Sequence, residues 1–279
     1  DLPLLPPRQD LETRTVLKKA ITARSALAEL KGLGATIPNQ AMLVDSLILQ
    51  EAKDSSAIED IFTTNDVLFR SYAANTSRID PATKEVLRYR EALWNGYESL
   101  RARAVLSTNL LISIVQTIKE NDAGIRNVPG AAIANGATRE IIYTPPEGKG
   151  LLRDKLANLE QFMHVDDDFE PLVKLALIHY QFEAIHPFAD GNGRTGRVLG
   201  ILFLAYKGLL DLPVLYLSRY IIKHRHDYYV LLRNVTEKGA WEPWILYMLD
   251  AVEQMSIVTR DRILAIRSLM EQTTERVKR

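Results

Sequence analysis

Twelve consecutive residues, His186-Pro187-Phe188-Ala189-Asp190-Gly191-Asn192-Gly193-Arg194-Thr195-Gly196-Arg197, bring together a base, a carboxylate, a glycine-rich turn and two arginines. His186 has an intrinsic pKa suited to taking a proton from a hydroxyl near neutral pH. Asp190 is the kind of ligand Mg²⁺ uses, one or two carboxylates with substrate phosphates completing the shell. Gly191-Asn192-Gly193 lets the backbone turn so that successive amides converge on an anion. The apolar run from Val198 to Tyr206 predicts a helix, which puts that turn at a helix start, where free N–H groups and the dipole favour phosphate. Arg194 and Arg197 are three apart and share a helix face, and their guanidinium forks suit phosphate oxygens. The lysine of a P-loop is absent, so this is a different solution. The parts read as a site that holds a polyphosphate and moves a piece of it.

That order resembles the Fic family (filamentation induced by cAMP), whose signature H-P-F-x-[DE]-G-N-G-R-x-x-R is matched at every fixed position. The resemblance covers roughly residues 40 to 250. It implies an all-α Fic fold, a helical core with a short β-hairpin flap, and a protein adenylyltransferase. Such an enzyme transfers AMP from ATP to a Ser, Thr or Tyr hydroxyl of a target protein. By the resemblance His186 is the general base and Asp190 binds the Mg²⁺ that bridges the α- and β-phosphates. Gly191, Asn192 and Gly193 cradle the phosphates. Arg194 and Arg197 engage the β- and γ-phosphates, with Thr195 and Gly196 in the same nucleotide-binding run.

Three further segments gain meaning from the resemblance. Ser55 and Glu59, four apart on one helical face, match the family's inhibitory motif [ST]-x-x-x-E-[GN]; Glu59 would pair with Arg197 and repel the triphosphate. Read without that context, Ser55 is a helix cap followed by acids. Asp60 departs from the motif, because Asp tolerates left-handed geometry less well than Gly. The β-favouring run Ile141-Ile142-Tyr143-Thr144 stands where the family has its flap, which takes a target segment by strand addition and lies near the nucleotide. Tyr228 and Tyr229 resemble the adenine-contacting segment, where a ring can stack on a base; two aromatic core residues are the plainer reading. Thr236 stands where some members carry an adenine-contacting Asn, and it lacks the amide. His164 and His179 read as structural, and His224 and His226 as part of a solvated turn with no metal.

Helices must position these groups. Asp10 is a candidate cap for a helix ending at Gly32 and Gly34, and Asn39 opens a second through Gln50. Further helices are predicted at Pro81 to Arg103, Ser107 to Glu120, Leu151 to Val165 and Phe169 to Ile185, the last delivering His186 before Pro187 ends it. Later ones cover Arg194 to Lys207, His224 to Lys238, Trp241 to Glu253 and Met255 to Val277. The stretch Asn127 to Pro146 breaks the pattern with a hairpin. Three regions follow: 1–75, an N-terminal helical segment with the inhibitory helix; 76–250, the catalytic core; and 251–279, a C-terminal helix that could lead into a winged-helix domain.

Composition sets the outer bounds. Thirty-five basic and 35 acidic residues balance, which leaves no electrostatic footprint for direct nucleic-acid binding. There is no cysteine, which excludes disulfides and thiolate metal sites. No leader or spanning run is read, so a cytoplasmic protein without membrane contact is expected. The expected substrate is ATP with Mg²⁺, and the partner is a target protein of unknown identity. Self-modification and a homodimer are kept open. Alternative readings are a de-AMPylating hydrolase using the same site, transfer of phosphate or phosphocholine, and a toxin–antitoxin or transcription-linked module with weak catalysis.

Overall fold

Short polar side chains mark the start of some of the helices, because each can take up an amide that has no partner within the helix. A computed structural model of the chain describes residues 2–34, 40–74, 79–128, 133–134 and 141–278; at 40–43, 133–134, 141–142, 274–275 and 277–278 it describes the backbone alone. The helices are α1 (Arg14–Gly34), α2 (Gln40–Ile58), α3 (Asn65–Ala74), α4 (Pro81–Arg103), α5 (Thr108–Lys119), α6 (Lys149–His164), α7 (Pro171–Ile185), α8 (Asn192–Tyr206), α9 (Leu217–Lys223), α10 (Arg225–Lys238) and α11 (Trp241–Lys278). Asp80 caps α4 by accepting the Thr83 N–H, with Pro81 at the first position, and Ser107 caps α5 through the Leu110 N–H. The first helix starts later than Asp10: that carboxylate accepts the nearby Glu12 N–H at 3.1 Å, and Thr13 caps instead through the Val16 N–H at 3.3 Å.

Two short strands, β1 (Ile133–Ala134) and β2 (Ile141–Tyr143), pair antiparallel with Ile133 opposite Tyr143. Much of the hairpin expected over Asn127 to Pro146, namely 129–132 and 135–140, lies outside the described residues.

Helix α7 is apolar nearly all round and is buried on every side, as a central core helix must be. Helix α8 packs on α7 and on α4, which in turn carries α2 and α5. Helix α11 closes the opposite side of α7, where Trp244 donates its indole N–H to the Ala176 carbonyl at 2.9 Å, and α1 lies along α11.

Two readings of the helices are corrected. The two predicted helices from Trp241 to Val277 are one, α11, because nothing between Glu253 and Met255 breaks the backbone pattern. Positions 250 and 251, where one region was expected to pass into the next, both lie within α11. The ten-residue α3, with Leu68 as its buried residue, and the seven-residue α9 went unread because neither is long enough to show a period. Among the described residues no helix is long and apolar enough to cross a membrane.

Candidate active site

The twelve-residue run is the joint between α7 and α8. His186 ends α7 in a left-handed conformation (φ 48°), its N–H donating to the Phe182 carbonyl at 3.0 Å. Gly191 caps α8 at φ 83°, a conformation that glycine adopts without strain. Between them, Asn192 closes the loop from inside, accepting the Phe188 N–H at 2.9 Å and donating to the Phe188 carbonyl at 2.8 Å. Asn192 is thus buried and serves the loop's shape; the amides at the start of α8 are left for an anion.

The two arginines of α8 are both buried, and each is held by a different carboxylate. Arg197 donates from Nε to Ser55 Oγ at 2.8 Å, and from its terminal nitrogen to the Ser55 carbonyl at 2.9 Å and Glu59 Oε1 at 2.7 Å. Burial alone would lower its pKa, but Glu59, with Tyr228, Glu183 and Tyr89, raises it, so Arg197 stays charged. Ser55 lies inside the last turn of α2 and not at a helix start, which removes the capping reading. The Glu59 carboxylate reaches over the start of α8: a Cβ added at Gly193 would stand 2.3 Å from its Oε1. Asp60 takes the left-handed conformation (φ 59°) despite not being glycine, and Arg225 compensates by donating to the Ile58 carbonyl at 2.8 Å and to Asp60 at 3.3 Å. The turn at 223–226 is therefore a clamp on α2.

Arg194 is gripped by Glu85 of α4, and Lys119 of α5 bridges Glu85 (2.8 Å) and Asp190 (2.6 Å). Burial would raise the Asp190 pKa; the Lys119 ammonium and the Gly191 N–H outweigh it and hold the carboxylate ionised. Its side chain is 64% exposed. Among the described residues no three His, Asp or Glu side chains converge as a ready-made metal cage. One ionised, accessible carboxylate beside anion-binding amides fits Mg²⁺, which dehydrates reluctantly and shares its shell with phosphates.

A pocket of about 270 Å³ opens beside this joint, lined by Glu59, Glu183, His186, Gly193, Arg197 and, on α10, Tyr228, Tyr229 and Thr236. His186 lies deep in it, and burial first, then Arg126, lowers its pKa, against the pull of the Glu183 carbonyl, Glu59 and Asp190. The imidazole is therefore neutral and able to accept a proton. Tyr229 is 39% exposed at the rim, whereas Tyr228 is core: its hydroxyl meets His179 Nε2 at 2.8 Å and its ring packs on Trp244. Thr236 bonds to the Tyr180 hydroxyl at 3.0 Å. Tyr143 of β2 donates to the Ala184 carbonyl at 2.9 Å, which brings the strand against the last turn before His186. Thr144 follows it, exposed; the side chains of Ile141 and Ile142 lie outside the described residues.

Thr195 and Gly196 face inward and do not line the pocket. Gly196 is where α8 meets α7: an added Cβ would stand 2.7 Å from Glu183 Oε1 and 3.0 Å from Phe182. His164 and His179 are structural as read. His164 bridges the Tyr206 hydroxyl and the Leu106 carbonyl, both at 2.8 Å, and burial holds His179 neutral with its pKa down at about 3. Sequence reasoning missed Glu85, Lys119, Arg126 and Glu183, because none stands in the run they serve; only Glu183, one turn before His186, could have been found by helical spacing.

Residues 17–98 match the family model described as Fic/DOC family N-terminal, and residues 105–204 the one described as Fic/DOC family. A protein adenylyltransferase Fic from Culex quinquefasciatus is 32% identical over 111 residues, 39% of this chain and 21% of that protein. One from Nematostella vectensis is 31% identical over 113 residues, 40% of this chain and 25% of that protein. The matched part thus spans about a fifth to a quarter of these relatives. The fold is similar to that of a Fic family protein from Desulfovibrio desulfuricans G20 (TM-score 0.73, 23% identity, 95% of this chain and 77% of that one). It is also similar to Fic-1 from C. elegans (TM-score 0.65, 17% identity, 92% and 74%).

Proposed function

This chain belongs to the Fic/DOC family, and from that premise we propose that it transfers AMP from ATP to a Ser, Thr or Tyr hydroxyl of a target protein and is restrained by Glu59. The observation that carries the proposal is the three-bond grip of Ser55 and Glu59 on Arg197 at the pocket that also holds a neutral His186. An arginine aimed at a phosphate site and occupied by an internal carboxylate is a nucleotide ligand under restraint. The relatives named protein adenylyltransferase support the reaction class.

In the reaction, His186 takes the proton of the target hydroxyl as that oxygen bonds to the α-phosphorus. The bond from the α-phosphorus to the bridging oxygen breaks, and pyrophosphate leaves with the electron pair. The amides of Gly191 to Gly193 and the guanidinium groups of Arg194 and Arg197 hold the β- and γ-phosphates in line. Mg²⁺, held by Asp190 and the phosphates, would neutralise charge on the phosphate oxygens. Tyr229 offers adenine a face, and the strand Ile141–Tyr143 with Thr144 presents the target backbone. With Glu59 in place Arg197 is withheld from the γ-phosphate; with Glu59 displaced it is free.

The partner is a protein carrying a hydroxyl, and the chain itself is one candidate. The test is mass spectrometry of cell lysate and of the protein after incubation of the Glu59→Gly variant with ATP and Mg²⁺. The expected result is an AMP increment on a hydroxyl side chain. Phosphate increments alone would replace the proposal with phosphate transfer. A second reading has one observation in its favour: the Glu59 carboxylate and His186 line the same pocket, so Glu59 could orient a water to remove AMP from a modified protein.

A further inference from the structure

We infer that Arg126 is a positioning residue for the base, gripping the carbonyl of His186 and the segment just after β2 so that imidazole and flap are held as one unit. The inference rests on the reading of His186 as the base. Arg126 lies in the connection between α5 and β1 and is 7% exposed. Its Nε donates to the His186 carbonyl at 2.8 Å, its backbone N–H donates to the Pro187 carbonyl at 2.9 Å, and a terminal nitrogen donates to the Pro146 carbonyl. Arg126 thus ties the α7 end of the active-site joint, through its side chain at His186 and its backbone at Pro187, to the exit of the strand whose Tyr143 already meets Ala184.

Two local facts make that grip necessary. Helix α7 has no basic residue in its last turn, so Arg126 supplies from outside the cation that the carbonyl end of a helix favours. His186 stands at φ 48°, a conformation that persists in a non-glycine residue where its surroundings hold it. Among the described residues no other side chain donates to the His186 carbonyl. The groups that bear electrostatically on the imidazole are the Glu183 carbonyl on α7, Glu59 beyond the end of α2, Asp190 in the loop, and Arg126, the cation among them.

The experiment uses Arg126→Met and Arg126→Lys in the Glu59→Gly protein, reading the kinetics of AMP transfer against pH and, by NMR, the titration of the His186 ring. Arg126→Met should lower kcat by about tenfold to a hundredfold, the scale of a small misplacement of a reacting group, while KM for ATP stays put. It should also move the acid limb of the pH profile upward, because the imidazolium is no longer opposed by a cation. Arg126→Lys should return the acid limb to its parental position, since the charge is back, but not kcat, since an ammonium lacks the fork that spans two carbonyls. Parental kcat with an unmoved acid limb in either variant overturns the inference. Should Arg126→Met fail to fold, judged by its thermal melt, Arg126→Lys decides alone, and parental kcat in it overturns the inference. If the Glu59→Gly parent transfers no AMP, it is the functional proposal that fails; the NMR titration then still tests Arg126, and a His186 pKa unchanged by Arg126→Met overturns its role.

Discussion

At Arg197 one guanidinium answers two demands. It must stay charged in a buried place and, under the proposed function, be open to a phosphate when nucleotide binds. Ser55 serves the first through its hydroxyl and its carbonyl, and under the proposed function Glu59, bonded to the same guanidinium, blocks the second. Losing Glu59 leaves Arg197 with the two Ser55 bonds, so the Glu59→Gly protein should fold and should transfer AMP faster. The expected gain is roughly 5–150-fold, the usual size of a coupling between two sites, measured as the initial rate of self-modification. His186→Ala should cost about 10²–10⁴-fold in transfer, the contribution of a positioned base, while ATP binding by calorimetry is retained. Undiminished labelling by the alanine variant would remove His186 from that role.

Among the elements, α2 leads directly into the proposed restraint, Glu59, so what holds α2 should set its strength. Arg225 donates to its last carbonyl, that of Ile58, and pairs with Asp60. Arg225→Gln should loosen that end and raise basal transfer, by less than Glu59→Gly does, because the Glu59–Arg197 pair remains. Transfer unchanged by Arg225→Gln would mean that α2 needs no clamp. The joint between α7 and α8 depends on the close approach at Gly196. A methyl there meets Phe182 and the Glu183 carboxyl, so Gly196→Ala should destabilise the fold by about 1–3 kcal/mol, as overpacking does, seen as a lowered urea midpoint. The turn at Gly191 and the order of histidine, carboxylate and arginines are local and could be read from twelve residues, and the helix behind them from the apolar run Val198 to Tyr206 that follows. Glu85 and Lys119 stand on α4 and α5, more than seventy residues upstream of the arginine and aspartate they hold, and no periodicity links them to that run.

For the whole molecule, two buried carboxyls join stability to pH. Glu51 accepts from the Ser218 N–H at 3.0 Å and from its hydroxyl, and burial pushes it up to about 7; Glu183, buried against α8, is likewise pushed up to about 7. In the unfolded chain both titrate near the ordinary Glu value of about 4.3. Between there and about 7 the folded state binds more protons than the unfolded one, so stability is greatest at the acid end of that window and falls as pH rises through it. Each group contributes on the order of 1–3 kcal/mol to that slope. Denaturant melts at successive pH values should show the decline, and Glu51→Gln should flatten it; an unchanged slope would mean that Glu51 is ionised in the folded protein. The helical architecture was legible because long amphipathic stretches with Ser, Asp and Pro at their starts announce themselves. The short α3 and α9 were not, since neither is long enough to show a period, and α11 was read as two helices although nothing between Glu253 and Met255 breaks it. Tyr228, which reads from sequence equally as an adenine contact or a core residue, lines the pocket and also packs against His179 and Trp244 from two other helices.

The central claim is that Glu59 restrains a site that moves AMP. Its most direct test compares protein labelling by ATP carrying label at the α-phosphate with labelling by ATP carrying it at the γ-phosphate, in the parent chain, Glu59→Gly, and Glu59→Gly with His186→Ala. The account predicts faint α-label in the parent, strong α-label in Glu59→Gly, none in the double variant, and no γ-label in any. Equal α-label in parent and Glu59→Gly, or label arriving only from the γ-phosphate, would contradict it.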